Sequence, residues 1–243
     1  MNDSSEAPAA TWSPIGKTER RVLGVLIEKA KTTPENYPLS LAAMVTGSNQ
    51  KSNRAPQMQL DDDDVTLALD ELRQLGAVRE IQGSGRVTKF RHAAYEWLGV
   101  DAAGAALMTE LLLRGPQTLG ELRSRASRMH EFPNLDSVAA AVAKLEQSGL
   151  VQPLTPPGRG QTFAHRLYPD DEQHYLTQKF ASNLPDDTPA IVAPDRSSSN
   201  SHHPPSGENA GVNAERLATF EQRLETMQAE IEELKRRLDR IES

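Results

Sequence analysis

The sequence predicts a mainly α-helical protein with small β-hairpins, in which one helical unit occurs twice and a separate helix follows. Three observations predict it. Apolar residues recur at helical spacing in short segments, each bounded by a capping residue or a glycine. Two series of such segments end in a hairpin pattern, and a shift of 73 positions lays the second hairpin on the first. From residue 214 onward, apolar residues alternate by three and four without interruption.

The chain has 243 residues and a formal net charge of −7, enough for two small domains and unfavourable for whole-molecule attraction to nucleic acid. It contains no cysteine, which excludes disulfides and thiolate metal sites and fits a reducing compartment. The opening MNDSSEAPAATW is polar and acidic, without the basic and apolar regions of a secretory signal. No run approaches the ~18 apolar residues of a membrane span. A soluble, cytoplasmic protein is expected.

Residues 1–12 read as a disordered tail. Ser13-Pro14 has the form of a helix start, and Val22, Leu23, Leu26, Ile27 and Ala30 carry the helix to about Lys31. Thr33-Pro34 ends it and Tyr37-Pro38 is extended. Ser40 caps a second helix with Leu41, Met44 and Val45 inward, closed at Gly47. Then comes a run of amides and bases that no periodicity explains, Asn49-Gln50-Lys51-Ser52-Asn53-Arg54. An aspartate of Asp61 to Asp64 caps the third helix and the others favour its positive end. Val65, Ala68, Leu69, Leu72 and Leu75 form its apolar face and Gly76 stands just past its end. VREI, a QGSG turn and RVTKFRH form a hairpin. Three helices and a hairpin in this order make a winged helix, predicted over 13–98.

The order recurs over 101–182. A helix spans Ala103 to Leu113, Gly115-Pro116 breaks it, and Thr118 with Glu121 is a capping box. A third helix runs from about Asp136 to Ser148, followed by a second hairpin. At the 73-residue offset Val65, Leu72 and Gly76 fall on Val138, Leu145 and Gly149. In the hairpins Arg86, Phe90 and His92 fall on Arg159, Phe163 and His165. The register is lost ahead of the third helix. Residues 183–213 are rich in Ser, Pro, Asn and Asp and read as a disordered linker. In 214–243, Leu217, Phe220, Leu224, Met227, Ile231, Leu234, Leu238 and Ile241 form the a/d seam of a coiled coil, the basis for expecting a homo-oligomer. The flanking pairs Arg216–Glu221, Glu230–Lys235 and Arg237–Glu242 have opposite charges, as a parallel coil requires.

The stretch YPLSL, followed by SNQKSNRAPQM and then LDEL, resembles the YceH-like family of bacterial tandem winged-helix proteins. The resemblance covers roughly 13–182 and implies the fold and a cytoplasmic setting. It implies no reaction, cofactor or catalytic residue.

No catalytic constellation is visible: there is no HExxH, no phosphate loop after a strand and no nucleophile elbow. A non-enzymatic protein without cofactor or metal is expected, leaving two functional readings. In the first it is associated with nucleic acid, DNA above all, through Lys51, Arg54, Arg86, Lys89, Arg91, Arg159 and Arg166, in a regulatory role. In the alternative, the acidic and Ala-rich third helices bind other proteins. Competing with both at the amide run is a structural role, with Asn49 and Asn53 holding the turn and Arg54 pairing with an aspartate of the DDDD run.

Overall fold

In the computed structural model, residues 12–82 and 87–182 are described. The expected linker, the expected heptad helix with its eight seam residues, and Arg86 lie outside them, as does the expected tail up to residue 11. The described chain is mainly helical, with two small antiparallel sheets.

The first copy comprises α1 (Lys17–Thr32), β1 (Leu39–Ser40), α2 (Leu41–Ser48), α3 (Asp62–Gln74), β2 (Val78–Ile81), β3 (Lys89–His92) and α4 (Ala94–Leu98). The second comprises α5 (Ala102–Arg114), β4 (Gln117–Thr118), α6 (Leu119–Ala126), α7 (Leu135–Gln147), β5 (Val151–Pro153), β6 (Thr162–His165) and α8 (Asp170–Ala181). Each sheet is three-stranded, in the orders β1-β3-β2 and β4-β6-β5. The outer strands β1 and β4 are two residues long and pair Leu39 with Phe90 and Gln117 with Phe163.

Local chemistry explains most boundaries. The Ser40 hydroxyl accepts from the Ala43 amide, and Asp61 with Asp64, Thr118 with Glu121 and Asn134 with Ser137 are reciprocal capping boxes. Gly76 takes φ +76° just beyond α3, a left-handed turn that glycine adopts without a Cβ penalty. Two expected boundaries are corrected. α1 starts at Lys17 with Gly16 as N-cap and no side-chain cap, because the Ile15 amide binds the Leu167 carbonyl of the second copy and holds 13–16 extended. Gly47 lies inside α2, not at its end: a Cβ there would come within 2.7 Å of Val25, so it is the packing residue against α1.

One apolar core runs through both copies. At its centre α1 and α5 pack on each other, and Leu23 and Leu26 of the first and Leu107 and Leu111 of the second are fully buried. Each such side chain contributes about 1.5–3 kcal/mol from removal of apolar surface from water. Gly24 permits the approach: a Cβ on it would lie 2.8 Å from Leu113 Cδ2. The described residues form one compact unit.

Candidate functional site

The amide and basic run occupies the α2–α3 connection, residues 49–61. Asn49 closes its base: its Nδ2 donates to the Leu60 carbonyl at 2.7 Å and its Oδ1 accepts from the Leu60 amide at 2.8 Å. The middle of the loop turns inward. Asn53 takes φ +61°, a left-handed conformation that asparagine tolerates better than most residues, and its Oδ1 accepts from Arg114. The Ala55 amide donates to the Leu113 carbonyl at 2.9 Å. The loop of the first copy is thus stapled to α5 of the second.

Arg54 is the hub. Its side chain is fully buried and forms a two-point pair with Glu28 of α1, at 2.5 and 3.1 Å. It also donates to the carbonyls of Gly47 and Asn53 and to Gln50 Oε1. The expected aspartate partner is therefore replaced by Glu28, because the acidic run faces outward while α1 supplies a carboxylate in the core. Burial also removes Arg54 from the set of exposed anion contacts. Glu28 is 1% exposed and is shared with Arg128, whose Nη2 lies 2.6 Å away. Arg128 in turn binds Glu110 of α5 at 2.9 Å, and Glu110 is 0% exposed. Arg114 Nε lies 3.1 Å from Glu110 Oε2, an ion-pair contact without hydrogen-bond alignment.

Two buried carboxylates and three guanidinium groups thus form one network across the two copies. Burial pushes the Glu28 carboxyl up, but the hydrogen bonds and charge of Arg54 and the charge of Arg128 outweigh it and hold it below the usual carboxylate range. Arg128 moves the other way: burial disfavours its charge, and Glu110 and Glu28 more than restore it. The network repeats with the fold. Glu28 and Glu110 each stand four residues before the last residue of α1 or α5, and Arg54 and Arg128 each follow the second helix of their copy.

The other expected contact residues are exposed and spread apart. Lys51 is on the loop surface, Lys89 and Arg91 are on β3, Arg159 is in the β5–β6 turn, and Arg166 follows β6. Arg91 stands opposite Arg79 across the β2–β3 ladder, which places two cations side by side. The third helices carry little positive charge. The exposed residues of α3 include Asp62, Asp63, Asp70, which pairs with Arg73 at 2.9 Å, and Glu71, and Leu67 on the same helix is 62% exposed. Those of α7 include Leu135, Asp136, Ala140, Ala143 and Lys144.

The paired histidines have one local role. His92 Nδ1 accepts from the Ala94 amide and His165 Nδ1 from the Leu167 amide, each closing the turn after a hairpin. Burial first, then Lys31 and Arg91, lowers His92 to about 4, and burial with the charge of Arg20 lowers His165 as well. Both are neutral acceptors at pH 7. Among the described residues, no group of three or more His, Asp or Glu is placed to hold a metal ion. None of their helices is long and apolar enough to cross a membrane.

The class is thus a helical protein built from two copies of a helix-and-hairpin unit, locked by a buried ion network at the α2–α3 connection. The chain belongs to the family described as protein of unknown function DUF480, whose model matches residues 15–159. This agrees with the resemblance carried by YPLSL and the amide run. The chain is 65% identical over 181 residues to a UPF0502 protein of Rhodopirellula baltica, covering 74% of this chain and 76% of that one. It is 52% identical over 135 residues to a UPF0502 protein of Pelobacter propionicus, where the match spans 62% of the relative and 56% of this chain. To one of Koribacter versatilis it is 44% identical over 157 residues, 63% of this chain and 73% of the other.

Proposed function

We propose that the chain is a non-enzymatic tandem winged-helix protein of the cytoplasm whose work is to dock a protein partner on the outward face of α3. The order helix, short strand, helix, helix, hairpin, with the first strand joining the hairpin, supports the winged-helix reading in both copies. In winged helices that read DNA, the third helix enters the major groove. Here the observation that carries the proposal is α3 itself, whose exposed residues are predominantly acidic and include an exposed leucine, Leu67. Carboxylates there repel phosphates and suit a basic partner surface, with Leu67 as the apolar anchor.

The decisive experiment is capture of partners from lysate with and without nuclease, using the natural chain and Leu67→Arg. A partner kept after nuclease and lost with Leu67→Arg supports the reading; capture indifferent to Leu67→Arg refutes it.

A second reading, association with DNA or another nucleic acid, is favoured by the exposed Lys89 and Arg91 on one hairpin, Arg159 and Arg166 in and just after the other, and the exposed Lys51 of the α2–α3 connection. Its signature is retention of duplex DNA at low salt, with a salt slope that flattens in Lys89→Ala/Arg91→Ala.

Self-association through Leu217, Phe220, Leu224, Met227, Ile231, Leu234, Leu238 and Ile241 is part of the proposal and rests on the heptad pattern. Deletion of 214–243 is expected to lower the mass in light scattering.

A further inference from the structure

A cleft of about 580 Å³ opens where the start of α1, the 55–58 loop segment, the end of α5 and α8 meet. Five cations from three separate helices line it: Lys17, Arg20 and Arg21 of α1, Arg114 of α5 and Lys179 of α8. The one carboxylate lining it is Glu172, which Arg20 already binds at 2.5 Å. In a chain of net charge −7 this is a marked local reversal of sign.

Arg21 gives the cleft its chemical direction. It is 2% exposed, and its Nη1 and Nη2 donate to the carbonyls of Ser48 and Pro56 at 2.9 and 2.5 Å. Among the described residues no carboxylate comes within ion-pair distance, and its buried Nε has no acceptor. Burial, followed by the nearby charge of Arg54, lowers its pKa to about 10. A buried guanidinium held only by neutral carbonyls is costly, and an anion beside it removes much of that cost. Burial disfavours the charge of Arg114, Glu110 favours it, and the nearby Arg125, Arg128 and Arg54 tip the balance downward.

The rest of the cleft is apolar. Pro56, Met58 and Leu112 form a wall, and Tyr175, 67% exposed, stands at the side of α8. Tyr168 is already engaged, with Arg20 over its ring at 4.6 Å and His165 stacked at 3.9 Å. The volume lies within the ~300–1,000 Å³ usual for small-molecule sites, and the mix of an apolar wall with converging donors is the usual composition of such sites.

We propose that this cleft is a binding site for a small phosphorylated molecule, its phosphate against Arg20, Arg21 and Arg114 and its body against the Pro56–Met58 wall under Tyr175. Each guanidinium carries five N–H donors, more than the protein contacts use, and its fixed positive charge suits phosphate. The exposed Lys17 and Lys179 complete the ring of charge at the entrance. The site is independent of the α3 docking face, which contributes no residue to it.

The test is calorimetry and thermal shift on the full chain with ADP, glucose 6-phosphate, adenosine and inorganic phosphate. Saturable binding of ADP or glucose 6-phosphate with Kd below ~0.1 mM, and none of adenosine, is expected. Which of the two binds separates a nucleotide from a sugar phosphate. Lys17→Gln with Lys179→Gln changes only exposed side chains and is expected to weaken binding at least ~10-fold, with an unchanged far-UV spectrum. Arg21→Gln, where it folds, abolishes binding. The proposal is overturned if neither phosphoester binds, if adenosine binds as well as ADP, or if the lysine pair can be replaced without effect. Uptake of inorganic phosphate alone overturns it, as an adventitious ion only. Binding of duplex DNA with neither small phosphoester overturns it in favour of an extended polyanion surface.

Discussion

Replacing Glu28 by Gln keeps the side-chain volume and removes one charge from the centre of the ion network. In the natural protein Glu28 accepts from Arg54 at 2.5 and 3.1 Å and lies 2.6 Å from Arg128, with both Glu28 and Arg54 shut off from water. Arg128 keeps Glu110 after the change, but Arg54 is left with the carbonyls of Gly47 and Asn53 and the amide of Gln50. A buried cation stripped of its only carboxylate costs about 3–5 kcal/mol. At ~1.4 kcal/mol per tenfold, the folding constant falls by roughly two to three and a half orders of magnitude. A domain of ordinary stability, ~5–15 kcal/mol, survives this only in part. Arg54→Met should cost less, on the order of 2–3 kcal/mol, because Glu28 retains Arg128. The double variant should recover at least ~1.5 kcal/mol relative to the sum of the singles, since it buries no unpaired charge. Urea unfolding followed by circular dichroism, with an unchanged m-value, measures all three. A Glu28→Gln loss under ~1 kcal/mol, or an additive cycle, refutes the account of this network.

Gly24→Ala pushes a methyl group to within 2.8 Å of Leu113 and should destabilise by ~1–3 kcal/mol, measured by the same unfolding assay. Asn53→Ala places an alanine at φ +61° and removes the acceptor for Arg114, for a loss of ~1–2 kcal/mol. Asn53→Gly loses only the hydrogen bond and should retain at least about half of that stability. Acidification should weaken the fold in two windows. His92, lowered from 6.5 to about 4, favours folding above 6.5 and loses that contribution as pH falls toward 4, on the order of 3 kcal/mol. Glu28, held below its ordinary 4.5, contributes above that value and loses its contribution at lower pH. His92→Asn, whose oxygen can accept from the Ala94 amide, should flatten the upper window in a pH series of melting curves.

The elements legible in the sequence are those whose signals are local. Capping boxes at Asp61 and Thr118, the glycine after α3 and the alternation in VREI set their boundaries within a few residues of the chain. The short strands β1 and β4 were not legible, because two residues carry no period and each exists only through pairing with a distant hairpin. The helices α4 and α8 carry no clear signal either: α4 is five residues long, and α8 buries no residue fully. The ion network stayed hidden because the repeat has three offsets, not one. The ends of α1 and α5 are 82 apart (114 − 32), β1 and β4 78 apart (117 − 39), and α3 and α7 73 apart (135 − 62). Only the last offset shows as matching residues. An offset of 82 sets Glu28 on Glu110, a pair of glutamates in apolar helical segments, and this is the one trace of the network in the sequence. The cleft had none, since its cations come from positions 17 to 179 and meet only in the fold.

The longer connection between α2 and α3 has a wider consequence. It holds thirteen residues, 49–61, where the second copy has eight, 127–134. The additional length carries Asn53 and Ala55 onto α5, while Arg128 reaches back to Glu28. The two modules thus form an indivisible pair. Cutting between Gly99 and Ala102 would leave Glu28 without Arg128 and α5 without its cover, so neither half is a sensible truncation for expression or complementation. Exchange of one copy between relatives is safe only if the 49–61 loop, α1 and α5 travel together.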